Sequence, residues 1–343
     1  MVKSRVGEVV AGLPPGAFAF VMATGILSVG LSQQGLGAVS QVFLALAVAA
    51  WLILVVLTAG RLLRYRDRAV ADLRDPRRAF GFFTLVAGTN VLAVRLASDS
   101  RFAAMLLLGF GVVAGLVLAY TVPWTAVLSR TERPVLTEAN GTWFIWVVAI
   151  QSVAAAAAGL EPLVETGRNG LSVVAVAAWS VGVMLYLACV MFVSLRLLLY
   201  PLRPRDLDPP YWVAMGAAAI TVVAGAKIVE MASTPMVDAT AGLVSGLAVV
   251  FWAWATWLIP VLIAVEVWRH VVHHIPVRYE TTWWSVVFPL SMYAVAGMYL
   301  GLASSLPIVE RIGAGWLWVA VLAWCFAAAM MVRSWIGRGN RAD

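Results

Sequence analysis

The chain has 343 residues, 62% of them hydrophobic and only 12% charged, about half of the roughly 25% charge usual in soluble domains. With a mean hydropathy of +0.91 there is too little polar side chain to coat a water-facing surface, which excludes a soluble enzyme. At about 20 residues per membrane span, the apolar content suits about eight to ten spans and leaves no room for a separate soluble domain.

In chain order, Met1 to Glu8 sets Lys3 and Arg5 ahead of an apolar stretch, in outline like a signal peptide. The stretch that follows, Gly12 to Leu31, is long enough to span and has no convincing small-residue cleavage site, so it is read as a retained first span. Charges and Pro/Gly clusters then separate ten apolar segments, roughly 12–32, 40–63, 79–98, 103–128, 141–160, 171–199, 210–229, 241–267, 281–304 and 313–335. Backbone groups inside hydrocarbon must be satisfied within the segment, so such runs are helical. The short alternating strands of a barrel are absent. The expectation is a single all-α polytopic domain over 1–343.

The charges carry a topology. With ten spans both termini share a side, and that side collects Lys3, Arg5, Arg61, Arg64, Arg66, Arg68, Arg74, Arg77, Arg78, Arg130, Arg133, Arg196, Arg203, Arg205, Arg269, Arg278, Arg333, Arg338 and Arg341. The other side holds only Arg95, Arg101, Arg168, Lys227 and Arg311, so both termini are expected to be cytoplasmic, at an inner or plasma membrane. The formal net charge of +7 is then mainly a topology signal and no argument for nucleic acid. Cys189 and Cys325 lie in apolar runs and are read as core fillers, not a disulfide or metal cluster.

The odd-numbered spans repeat. Each opens with bulky aromatics: Phe18 and Phe20; Phe80, Phe82 and Phe83; Trp143, Phe144 and Trp146; Tyr211 and Trp212; Trp283 and Trp284. Overlaying them aligns Thr24, Thr89, Gln151, Thr221 and Ser291, one polar side chain about 14 Å into each helix, with Asn90 and Ser152 beside two of them. Two readings stay open: five helices pointing polar groups at a water-filled path, or hydroxyls that bond back to their own helix and glue helix pairs. Three residues earlier stand Val21, Val86, Val148, Ala218 and Phe288, where one aromatic could plug a narrow apolar tube. Pro289 follows that aromatic inside the span, where a proline removes a backbone donor and kinks the helix.

The run WWSVVFPLSMYAVA, Trp283 to Ala296, resembles the ninth helix of the tellurite-resistance and dicarboxylate-transporter family, related to the slow-type anion channel of plant guard cells and so to the voltage-dependent anion channels. PPGAFAFVMATGILSVG, FGFFTLVAGTNVLAVRL and NGTWFIWVVAIQS, in the first, third and fifth spans, are similar to bacterial members, and the likeness covers nearly the whole chain. The resemblance implies five helical hairpins in quasi-fivefold arrangement around a central pore, odd helices inside, and a homotrimer with one pore per subunit. It also implies that Phe288 before Pro289 is the gate. Family pores often have kinking prolines in several inner helices; here only the ninth span has one at depth, and Gly25, Gly88, Gly216 and Gly297 are the candidates for supplying bends.

Arg95 and Lys227 share a repeat position toward the outer ends of their helices. A basic pair there would concentrate anions, but an ideal helix turns both about 120° off the polar ring, and Asp99 and Glu230 are at hand as local partners. No acid or histidine lies at mid-depth in an odd span, which favours a channel or uniporter for chloride, nitrate, sulfite or four-carbon dicarboxylate over a proton-coupled dicarboxylate, sulfite or tellurite-type carrier. His270, His273 and His274 are read as a polar helix end, with no metal and no cofactor expected. A membrane-embedded enzyme ranks last, because no nucleophile–base pair, ligand set or phosphate loop is present.

Overall fold

The computed structural model describes residues 2–339 apart from 130 and 132, so that Arg130 and Arg341 of the proposed cytoplasmic set lie outside the described residues. Among these residues there are twelve α-helices and no strand: α1 Val2–Ala11, α2 Ala19–Gln33, α3 Gly37–Arg64, α4 Arg66–Arg74, α5 Phe83–Leu96, α6 Arg101–Pro123, α7 Phe144–Leu160, α8 Arg168–Leu199, α9 Val213–Val229, α10 Pro235–Val267, α11 Trp284–Ala303 and α12 Pro307–Gly339. Counting the short turns continuous with them, ten are long and apolar enough to cross a membrane, and they match the ten expected segments. The ends differ where polar caps, not hydropathy, set the boundary. α10 starts at Pro235, ahead of the expected 241, because the Thr234 side chain accepts from the Val237 backbone N–H. The short helices α1 and α4 were not expected.

The spans divide into two layers. In α2, α5, α7, α9 and α11 with their opening turns, 72–83% of the most apolar window is buried inside the protein; in α3, α6, α8, α10 and α12 it is 11–39%. α2 packs on α5, α5 on α7, α7 on α9, α9 on α11, and α11 back on α2, so the inner helices close a cycle of neighbours. Each outer helix packs on the inner helix before it, its hairpin partner, and also on the next inner helix along.

Every inner helix opens with a 3-10 turn, Pro15–Phe18, Ala79–Phe82, Gly141–Trp143, Pro209–Trp212 and Thr281–Trp283, and these turns also touch in a closed cycle. The repeated aromatics lie here. Rather than anchoring in the lipid interface, several pack between neighbouring elements: Phe80 stacks on Trp143 at 5.0 Å, and Phe20 meets Trp284 edge-on at 4.7 Å. Phe80, Phe83 and Trp284 are fully buried. At this end burial pushes the Asp208 carboxyl up to about 7, against the pull of Arg269.

Cys189 is buried as expected. Cys325 is exposed on the outer helix α12, so it fills no core: α12 turns most of its surface away from the bundle.

Candidate functional site

Hydrogen bonds locate the mid-depth polar groups. Trp324 Nε1 donates to Thr24 Oγ1 at 3.0 Å and Trp51 Nε1 to Thr89 Oγ1 at 2.9 Å. Trp179 Nε1 donates to the Thr221 carbonyl at 3.1 Å, while the Thr221 hydroxyl bonds back to Ala217 O. Gln151 Nε2 donates to Trp179 O at 3.2 Å, and the Ser291 hydroxyl to Val287 O. Thr24, Thr89, Gln151, Thr221 and Ser291 therefore face helix seams or their own backbone, the second of the two readings. For Thr24, Thr89 and the Thr221 carbonyl the physical reason is an outer tryptophan, whose indole N–H in an apolar layer takes an acceptor from the inner helix; Ser291 and the Thr221 hydroxyl satisfy themselves on their own helix. At four of the five seams a hydrogen bond joins the outer helix of one hairpin to the inner helix of the next; in the fourth, Thr256 gives its proton to Trp252 O and accepts from the Tyr293 hydroxyl at 2.8 Å.

A cavity of about 30 Å³ lies between all five inner helices, toward the short-loop ends of the spans. α2 contributes Ile26 and Val29; α5 Asn90, Val91 and Val94; α7 Ser152 and Ala155; α9 Ile220, Val223 and Lys227; α11 Met292, Val295 and Tyr299. Of the expected site residues only Asn90 and Lys227 line it, with Ser152 beside the expected ring. Lys227 is the single charged residue in the lining. Its Nζ sits 4.0 Å from the centre of the Tyr299 ring, and among the described residues it makes no ion pair with Glu230 or any other acid. Arg95 points elsewhere: it is buried, bonded to Ser28 and Ser40 and paired with Asp99 at 2.9 Å.

The lining of α11 follows helical spacing, 292, 295 and 299, and Phe288 extends that stripe by one turn toward the 3-10 end. Phe288 is 1% exposed. Stepping the other stripes back in the same way leads to Met22, Ala87, Val148 and Gly216. Val148 thus keeps its expected place at this level, whereas Val21, Val86 and Ala218 fall on other faces. Val21 lies against Gly88 and Val86 against Gly115, both in helix seams. At Gly216 a Cβ would come within 2.9 Å of the Pro289 ring, so glycine is needed for α9 to pass the proline of α11. Gly25 and Gly297 likewise mark close approaches, to Val91 and Gly313, whereas a Cβ at Gly88 would only touch Val21 at ordinary contact distance.

The sequence reading missed Tyr299 and the aliphatic walls, while Gly216, expected only to supply a bend, is where α9 passes Pro289. The usable signal was the outer tryptophans: once Trp51 and Trp324 claim Thr89 and Thr24, the cavity must lie on another face of each inner helix. The histidines form no cluster among the described residues. His270 bonds Ile275 O and pairs with Glu266, and His273 lies edge-on to Trp268.

Ten apolar spans in two layers around a lined internal cavity define a multi-pass membrane protein of the transporter or channel class. The chain belongs to the voltage-dependent anion channel family, whose model matches residues 12–332. It is similar to an uncharacterized membrane protein of Mycobacterium tuberculosis, 58% identical over 162 residues, which are 46% of this chain and 82% of that protein. Two proteins of Methanocaldococcus jannaschii, each described as an uncharacterized transporter, are 24% identical over 92% of both chains and 23% identical over 90% of both. The family points to transport of anions, and the descriptions of the two archaeal relatives to transport, rather than to catalysis.

Proposed function

We propose that the five inner helices stand in quasi-fivefold arrangement around a central anion pore, and that Phe288, next to the Pro289 kink, is its gate. The observation that carries this is the cavity lined by all five inner helices, with Lys227 its single charge and Phe288 one turn below on the Met292, Val295 and Tyr299 stripe. At the same level Ala87 carries only a methyl, and the place of a side chain on Gly216 is taken by the Pro289 ring, so Phe288 is the one large side chain of the stripe beside the kink. Small anions, of the chloride, nitrate, sulfite or four-carbon dicarboxylate class, move down their gradient. No carboxylate or imidazole lines the cavity, which favours a channel or uniporter over the proton-coupled carrier. The 3-10 end faces the cytoplasm with both termini, in the inner membrane, and the exposed apolar faces of the outer helices meet lipid and the other subunits of a homotrimer.

The test is Phe288→Ala in liposomes. Removing a plug residue is expected to raise anion flux tenfold or more over the unsubstituted protein at equal reconstitution. Unchanged flux would remove Phe288 from the gate.

A further inference from the structure

A cation facing a space inside a membrane protein is costly to hold without a counter-charge. The Lys227 ammonium has three N–H donors and, among the described residues, no hydrogen-bond acceptor and no carboxylate; its one partner is the Tyr299 ring face at 4.0 Å. Across the cavity, Asn90 Nδ2 donates to Ser152 Oγ at 2.9 Å, which leaves the second N–H of that amide uncommitted. The acceptor end of the same amide is turned away from the cavity into the space that Gly111 leaves open, where it has no partner. The Ser152 hydroxyl proton is used on Ala149 O. The polar part of the lining is thus rich in free donors, carries one positive charge and contains no carboxylate.

Resting on the pore reading above, we infer that this cavity is a binding site for one small monovalent inorganic anion of halide size, held between Lys227 and the Asn90 amide. Size and charge agree. About 30 Å³ is the space of roughly two water molecules, at about 10–15 Å³ each, which suits a single halide, larger than one water, held by the lining. A four-carbon dicarboxylate exceeds that space and brings two charges to one cation. Tyr299 serves the site by holding the ammonium when no anion is present. A cation resting on a π face keeps its hydrogen-bond donors free, so an arriving anion displaces no salt bridge.

The experiment uses the full chain with Phe288→Ala as the conducting background, in liposomes with chloride, bromide or succinate, and bromide-soaked crystals of the unsubstituted protein. Chloride and bromide are expected to carry at least tenfold more current than succinate. Adding Lys227→Gln should weaken the half-saturating chloride concentration at least tenfold and erode the preference over succinate, while Lys227→Arg largely preserves both. Anomalous bromide density should lie between Lys227 and Asn90. If the Phe288→Ala background conducts and folded Lys227→Gln leaves chloride saturation and preference unchanged, the site is wrong while the pore stands. If the background conducts nothing, the pore reading has failed, and bromide density alone decides the site: its presence supports it, its absence overturns it. Should Lys227→Gln not purify as a single species, Lys227→Met and the same density decide.

Discussion

Arg95 and Lys227 occupy the same step of the internal repeat, yet one is locked into a helix seam and the other looks into the central cavity. The difference lies in the preceding hairpin. Arg95 meets Ser28 of α2 and Ser40 of α3, which supply hydroxyl acceptors at 2.9–3.2 Å, and its own helix end supplies Asp99. For Lys227 the position equivalent to Ser28 is Ala155 of α7, which has nothing to accept a hydrogen bond. Its stem crosses Gly159, where a Cβ would lie 3.5–3.7 Å from the lysine side chain, and the ammonium comes to rest on Tyr299 of α11. A basic residue at a fixed register is thus held in a seam or left lining the cavity according to the acceptors its neighbours present.

The contrast can be broken at several points. Arg95→Met carries the largest expected effect on stability. Ser28 and Ser40 keep their bonds to each other's carbonyls, so the loss is that of the charge-assisted bonds of a buried guanidinium, which should lower unfolding stability by about 2–3 kcal/mol in detergent, with anion selectivity unchanged. Stability equal to the parent would show that the seam does not need the arginine. Trp324→Phe or Thr24→Val removes one seam hydrogen bond, expected at about 1 kcal/mol each, and the double variant should lose little more than either single one. A Thr24→Val protein of full stability and altered conductance would return that hydroxyl to the pore and overturn its assignment to the seam. Lys227→Met gives up one cation–π contact, so its stability should change by less than about 1 kcal/mol, the reverse of the arginine in both stability and selectivity. The finest test is Ala155→Ser, which offers Lys227 the acceptor that Arg95 has. A modest, few-fold weakening of chloride saturation is expected as the ammonium is drawn toward α7; no change would mean that register alone, not the neighbouring hydroxyl, sets its direction.

Much of the fold was legible in the amino-acid sequence. Hydropathy marked ten spans because helices in lipid must be long and apolar, and the recurring aromatics marked the hairpin repeat that the five 3-10 turns display. The candidate site was legible only in part. Asn90 and Lys227 line the cavity, and Phe288 and Val148 stand one helical turn from its α11 and α7 stripes, whereas Thr24, Thr89, Gln151, Thr221 and Ser291 are not in the lining and bond across seams or to their own backbone. Equal depth along a helix axis says nothing about rotation around it, and every face of an inner helix is apolar enough to pass for any other. Hydroxyls that look like a pore lining in one dimension become acceptors for Trp51 and Trp324 in three.

By itself the sequence determined that the chain lives in a membrane, how many times it crosses, where its repeats begin and which family resemblance to expect, because these depend on length, hydropathy and order along the chain. Only the tertiary structure decided which stripe of each inner helix faces the common cavity and which of two equivalent basic residues stands in it. Those depend on the side chains that neighbouring hairpins bring across the seam: a tryptophan that needs an acceptor, a serine that offers one, and an alanine that does not.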